Sequence, residues 1–242
     1  MKKLLLTLFL SLSVIGCASL ELEATSSSDS VTEGILALGL THEENLVEAS
    51  KLKSAHMVSV VTGQLIRARD EKIQDEIDFI ESEKYAEIVK VTENGLSFIG
   101  PEISESIKTG VLETDKDLQN YYLEGIKDSN SEVIEHILHV RISYNSKNKR
   151  NYISANLCDE WGRCDNNKQQ INVISVSLSN CTTSSCDFSE VLELNLGDQF
   201  LKDSINNGFT MRFNGKKKIR FSLPSKIKVS SAYLKGYLKV AK

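Results

Sequence analysis

The sequence predicts an α+β fold: a helical N-terminal half followed by a mainly antiparallel, disulfide-stapled, β-rich C-terminal half with a C-terminal helix. Three observations carry this. Apolar residues recur at helical spacing through much of residues 35–130, near residue 131 the period changes to alternation, and beyond residue 17 all four cysteines fall in the second half. At 242 residues, 40% hydrophobic and 26% charged, the chain has globular proportions. Disordered, collagen-like and polytopic membrane classes are excluded.

Residues 1–16 stand apart from the fold. Lys2 and Lys3 precede an apolar run over residues 4–15, far short of the roughly 20 residues a membrane span needs. This is the layout of a secretory signal. The run ends in Val14-Ile15-Gly16-Cys17, which resembles the lipobox of bacterial lipoproteins. That resemblance implies lipidation at Cys17, with palmitate-type chains anchoring the new N-terminus. Ala18, where an aspartate would imply inner-membrane retention, implies the outer membrane. Two or more acyl chains give stable attachment. Residues 17–34 are Ser-rich and acidic and read as a lipidated tether too polar to fold.

Residues 35–130 read as an acidic, mostly helical region. Thr41 and Glu44 form a capping-box signature, followed by Leu46, Ala49, Leu52 and Ala55 at helical spacing. Gly63 is a candidate interruption. Ile66, Ile73, Ile77 and Ile80 make an a/d-like stripe. The runs SAHMVSVVTG and YAEIVKV suit either helix or strand. Pro101 and Gly110 bracket a further expected helix, and another follows Thr114 with Leu118, Tyr121, Tyr122 and Ile126 as its apolar face.

Residues 131–242 read as a basic, β-rich, disulfide-bonded domain. Leu138, Val140, Ile142 and Tyr144 alternate with polar residues, and the turn NSKNKR makes this a hairpin with YISANL. GFTMRF-NG-KKKIRFSLP is a second expected hairpin. An odd loop or bulge would place Met211 opposite Ile219 and Phe209 opposite Phe221. A short helix is expected over residues 197–206, and a last one presents Tyr233, Leu234, Tyr237 and Leu238.

If Cys17 is lipidated, four cysteines remain, and export favours bridges. Cys158–Cys164 and Cys181–Cys186 each close a short polar loop, the second pinning a hairpin; crossed pairing is the alternative. The spacings do not match zinc knuckles. His136 and His139 would share a metal-binding face on a helix but point apart on the expected strand. No elbow, Walker loop or dinucleotide motif is present, so no catalytic residue, metal or cofactor is expected. The stretch from Cys186, through GFTMRF to YLKGYL, resembles the end of invasion-associated locus B proteins, exported bacterial proteins with a cysteine-bearing strand, short helix, hairpin and final helix.

Charge is divided unevenly. Residues 21–140 hold 25 acidic and 10 basic side chains; residues 141–242 hold 8 and 17. Either the halves dock on each other or the basic half holds an anionic partner. Lys216, Lys217, Lys218 and Arg220, with Lys147, Lys149 and Arg150, would form that patch. Nucleic acid is disfavoured because aromatics are not interleaved. Trp161, the only tryptophan, lies between Cys158 and Cys164. It is either a recognition tip or folded back onto the sheet. The expectation is a non-catalytic outer-membrane lipoprotein, periplasm-facing, that binds an envelope protein or anionic envelope polymer. The alternatives are an envelope hydrolase acting on cell-wall or polysaccharide bonds, and a surface-exposed adhesion or host-contact factor.

Overall fold

The computed structural model describes residues 27–108, 116–129, 133–159, 161, 163–216 and 225–242. Cys17, the signal and most of the tether lie outside them. The chain divides into two compact units, residues 1–76 and 77–242. No helix among the described residues is long and apolar enough to cross a membrane.

The first unit is helical. Helix α1 (Ser28–Leu36) is capped by Ser27, whose hydroxyl accepts from the Ser30 N–H. The expected tether is thus folded from residue 28, because Val31 and Ile35 find a buried face that composition alone does not reveal. Helix α2 (His42–Ser50) opens with the Thr41–Glu44 capping box. Helix α3 (Ala55–Ile88) is continuous through Gly63, so the helical alternative holds for SAHMVSVVTG. Val31, Ile35, Ala49, Val61 and Leu65 form this unit's core. The isoleucine stripe is a correction: Ile66, Ile73, Ile77 and Ile80 are exposed, and in this unit α3 gives Val61 and Leu65 to the core instead.

The second unit holds two sheets. The larger runs β1 (Lys90–Val91), β2 (Ser97–Ile99), β4 (Lys116–Lys127), β5 (Ile134–Ser146), β9 (Cys186–Leu196), β8 (Asn172–Ser179), with β3 (Ile103–Lys108) also on β4. The smaller runs β11 (Lys226–Val229), β10 (Phe209–Gly215), β6 (Tyr152–Cys158), β7 (Gln169–Gln170). Every pairing is antiparallel. Helix α4 (Asp198–Asp203) lies within the expected 197–206 span, and α5 (Ser231–Val240) buries Tyr233, Leu234 and Tyr237 as expected.

The two helices expected after Pro101 and Thr114 are strands. Residues Asp117, Gln119, Tyr121 and Leu123 are buried, and Leu118, Tyr122 and Glu124 lie on the other face, a period of two. Long-range pairing overrode local helical spacing. β2 and β3 run along the same edge of β4, separated at Gly100-Pro101, where proline offers no N–H to the ladder.

β5 shows the expected alternation, with Leu138, Val140, Ile142 and Tyr144 buried. It does not form a hairpin with β6. β5 pairs β4 and β9, while β6 pairs β10 and β7 in the other sheet. The 147–151 turn therefore crosses between sheets, helped by Asn151 at φ 52°. β10 presents Phe209, Met211 and Phe213 on its buried face, but its register is not the expected one. Phe209 lies opposite Val229 and Met211 opposite Ile227; residues 217–224 of the expected hairpin lie outside the described residues. The bulge falls at Asn214/Gly215, against β6.

Both expected disulfides are present, Cys158–Cys164 and Cys181–Cys186, the second closing the β8–β9 hairpin. The charge boundary at residues 140/141 falls inside β5. β4, from the acidic half, and β9, from the basic half, flank that same strand, so the charge halves are not separate bodies.

α5 is held at close range by glycines. A Cβ on Gly236 would lie 2.5 Å from the Ser82 carbonyl oxygen and 2.6 Å from Tyr85 Cβ. Gly63, in the interior of α3, has nothing within 4 Å of that position. Gly236→Ala is therefore expected to destabilise by about 1–3 kcal/mol through overpacking. Gly63→Ala should stabilise by roughly 0.5–1 kcal/mol through helix propensity. Urea unfolding of the two variants checks this; shifts of the same sign would refute the packing argument.

Candidate functional site

The loop after β6 is built to hold its tip still. Cys158 and Cys164 bridge across its base. Inside the ring, the Asp159 N–H donates to the Arg163 carbonyl at 2.8 Å. The Arg163 N–H returns to Asp159 Oδ1 at 2.8 Å, and its Nε–H reaches Oδ2 at 2.7 Å. Outside the ring, Asp165 N–H bonds the Leu157 carbonyl, and Asn156 Nδ2 bonds the carbonyls of Asp165 and Asn167. Trp161 stands at the tip with 76% of its surface exposed. It does not fold back onto the sheet. The clamps hold the loop ends on either side of Trp161 and leave its indole in water.

Of the expected basic patch, the described residues are Lys147, Lys149, Arg150 and Lys216. Lys147 and Lys216 are exposed and Lys149 is half-buried. The Lys216 N–H donates to the carbonyls of Asn151 (2.8 Å) and Arg150 (3.2 Å), so the 147–151 turn and the end of β10 share one edge. Lys217, Lys218 and Arg220 lie outside the described residues. The lysine end and Trp161 sit at opposite ends of β6, about 20 Å apart at a strand's rise per residue.

Arg150 is a correction, because its guanidinium is buried rather than offered to a partner. It grips Asp117 through both amino groups, Nη2 to Oδ1 at 3.0 Å and Nη1 to Oδ2. It also donates to the Tyr152 hydroxyl at 3.1 Å and lies 4.1 Å from the Tyr144 ring centre. Tyr144 itself accepts from the Arg150 N–H and donates to Glu190, a fully buried carboxylate. Asp117 and Glu190 are missed from the sequence because their neighbours depend on strand register. Burial raises the Tyr144 phenol well above its ordinary range.

His136 and His139 point to opposite faces of β5, as alternation requires. His136 is completely buried. Its Nδ1 lies 2.9 Å from the Tyr237 hydroxyl and its Nε2 lies 3.6 Å from Asp198 Oδ1. This is a histidine beside a carboxylate, as a hydrolase would need, but the ring has no exposed atom to present to a substrate. Burial holds the His136 pKa below its usual value, with Asp198 partly offsetting that. His139 lies on the other face, stacked on Tyr122 at 4.5 Å between Glu124 (2.8 Å) and Glu193 (3.3 Å). Among the described residues no group of His, Cys, Asp and Glu is arranged to hold a metal ion.

Comparison with protein-family models, with curated proteins and with solved structures finds no match for this chain.

Two outcomes follow from the buried groups. Unfolded histidine titrates near 6.5 and His136 titrates lower when folded, so the unfolded chain takes up protons first as pH falls. The stability from neutral His136 is complete above about pH 6.5 and declines as pH drops toward the folded pKa. Tyr237 from α5 and Asp198 and Lys202 from α4 set that environment. Thermal melting from pH 7 to 5 should show a steeper decline for the wild type than for His136→Gln; equal slopes would contradict it. Separately, Asp117→Asn should cost about 3–5 kcal/mol by stranding the Arg150 charge, and pairing Asp117→Leu with Arg150→Met should recover most of it. Denaturant midpoints of the single and double variants measure this.

Proposed function

We propose that the chain is a non-catalytic lipoprotein, anchored through Cys17 to the bacterial outer membrane and facing the periplasm. It serves the cell envelope as a binding or scaffolding component. The observation that carries the binding role is Trp161, exposed on a loop closed by a disulfide and an Asp159–Arg163 clamp. Residues that only fill a core have no need of such a mount. The anchor rests on the Lys2-Lys3 start, the short apolar run and Gly16-Cys17.

The partner is an envelope protein or an anionic envelope polymer. Trp161 supplies an apolar anchor of the kind that dominates binding energy. Lys147, Lys149 and Lys216, with Lys217 and Lys218 adjoining in sequence, supply a cationic end. At opposite ends of β6 the two suit an extended partner, or two different ones, rather than a small ligand. The charge contribution weakens as salt rises, with a screening length of about 8 Å at physiological ionic strength.

The test is cross-linking and recovery of partners from intact cells, comparing the wild type with Trp161→Ala and with Lys216, Lys217 and Lys218 changed to Gln. Trp161→Ala is expected to cost about 2 kcal/mol or more, roughly thirtyfold in affinity. The lysine variant should lose partners in a salt-dependent way. Identical recovery from all three would refute the binding reading. Metabolic labelling with a palmitate analogue tests the anchor independently: Cys17→Ser should abolish the label, and an unlabelled wild type would refute lipidation.

A further inference from the structure

The outer edge of the larger sheet is unusual. Among the described residues β8 pairs β9 on one side only, and all eight of its residues are exposed. Its sequence, NVISVSLS, contains no charge and no proline. An open strand edge is a row of free hydrogen-bonding groups, and proteins normally blunt it with charge, proline or brevity. The other edges here are blunted. β1 and β7 have two residues each, β11 carries Lys226 and Lys228, and the β2–β3 edge is interrupted at Pro101 and carries Glu102 and Glu105. β8 has none of these devices beyond an irregularity between Val173 and Ser175. Its turn is braced by the Cys181–Cys186 bridge and by Asn180 Nδ2 on Asp187 at 2.9 Å.

From Ser175 onward β8 is regular, and it matches itself. Ser175, Ser177 and Ser179 lie on one face. Val176 and Leu178 lie on the other, opposite Glu190 and Phe188 of β9. Val176 is 39% exposed and Leu178 57%. In an antiparallel pair centred on Ser177, Leu178 meets Val176 of the other copy, Ser179 meets Ser175, and Ser177 meets Ser177. Apolar thus falls on apolar and hydroxyl on hydroxyl, the pairings that stabilise a sheet. No like charges meet, because there are none. Centring on Val176 instead would set the irregular Ile174 against Leu178.

We propose that β8 is a dimerisation edge: two copies of the chain pair β8 to β8, antiparallel about Ser177, and join their larger sheets into one. The contact is self-complementary and closes with twofold symmetry, so it stops at two chains. It is independent of the Trp161 reading, since it uses a different strand of a different sheet.

The experiment measures the mass of the full chain by light scattering over a wide concentration range, for the wild type and for Val176→Lys and Leu178→Lys. Alongside it, Ser177→Cys is oxidised gently and its peptides are mapped by mass spectrometry. The wild type is expected at the mass of two chains. The lysine variants should run at one, with their circular dichroism and both native disulfides retained. Ser177→Cys should yield a peptide joining residue 177 to residue 177 of a second copy. A wild type of one-chain mass at every concentration would overturn the proposal, as would open-ended growth. If the lysine variants misfold, the cross-link decides: a dimer without a 177–177 link is not this dimer.

Discussion

The second unit depends on how closely α5 can approach the sheet. Tyr233 and Tyr237 lie one helical turn apart on its inward face, and each drives its hydroxyl into a gap left by a missing side chain. A Cβ on Gly100 would fall 2.5 Å from the Tyr233 hydroxyl, and one on Gly125 equally close to that of Tyr237. Through those gaps Tyr233 accepts from the Leu123 N–H at 3.0 Å and donates to the Pro101 carbonyl at 3.1 Å. Tyr237 meets His136 at 2.9 Å. Buried hydroxyls must be satisfied, and here satisfaction fixes the helix in two places. Tyr121, donating to the Lys228 carbonyl at 2.6 Å, ties β4 to β11 of the other sheet.

The same logic governs the ionic interior. The Asp117–Arg150 pair joins the start of β4 to the turn that leaves β5, and Ser225 and Tyr152 complete its shell. A buried pair of this kind adds little net stability over apolar packing. It does oblige one arrangement, because any slip of β4 or of the 147–151 turn strands a charge. In this fold the arginine specifies geometry, while Lys147 and Lys216 beside it stay exposed to solvent.

Local signals were readable where local chemistry decides. The Thr41–Glu44 box, the alternation of Leu138 through Tyr144, the short disulfide loops and the apolar face of α5 all follow from neighbours in the chain. Leu118, Tyr121 and Tyr122 satisfy helical spacing as well as Tyr121 and Leu123 satisfy a strand's, and only pairing with β5 separates the two. The β5–β6 hairpin failed for the same reason: a turn sequence says that the chain reverses, not which sheet receives it. The two bracketing cysteines place Trp161 in a closed loop, but its exposure, rather than a fold back onto the sheet, follows only from the structure. The burial of Arg150 could not, since its partner Asp117 lies 33 residues away, and His136 meets Tyr237 across 101.

The crossing at residues 147–151 also has a kinetic meaning. β5 can zip onto β4 across a short connection, but β6 has no long partner nearby in the chain. Its ladder forms with β10, and Asn214 reaches back 60 residues to Ser154 to make it. Closing so long a loop costs entropy before any contact repays it, and folds dominated by such pairings form in milliseconds to seconds. Until β10 arrives, β6 lacks its long partner, with Cys158 at its end and Cys164 six residues beyond. The Cys158–Cys164 bridge spans only six residues and needs none of that long-range closure, so the loop end of β6 is stapled by a contact independent of the β6–β10 ladder.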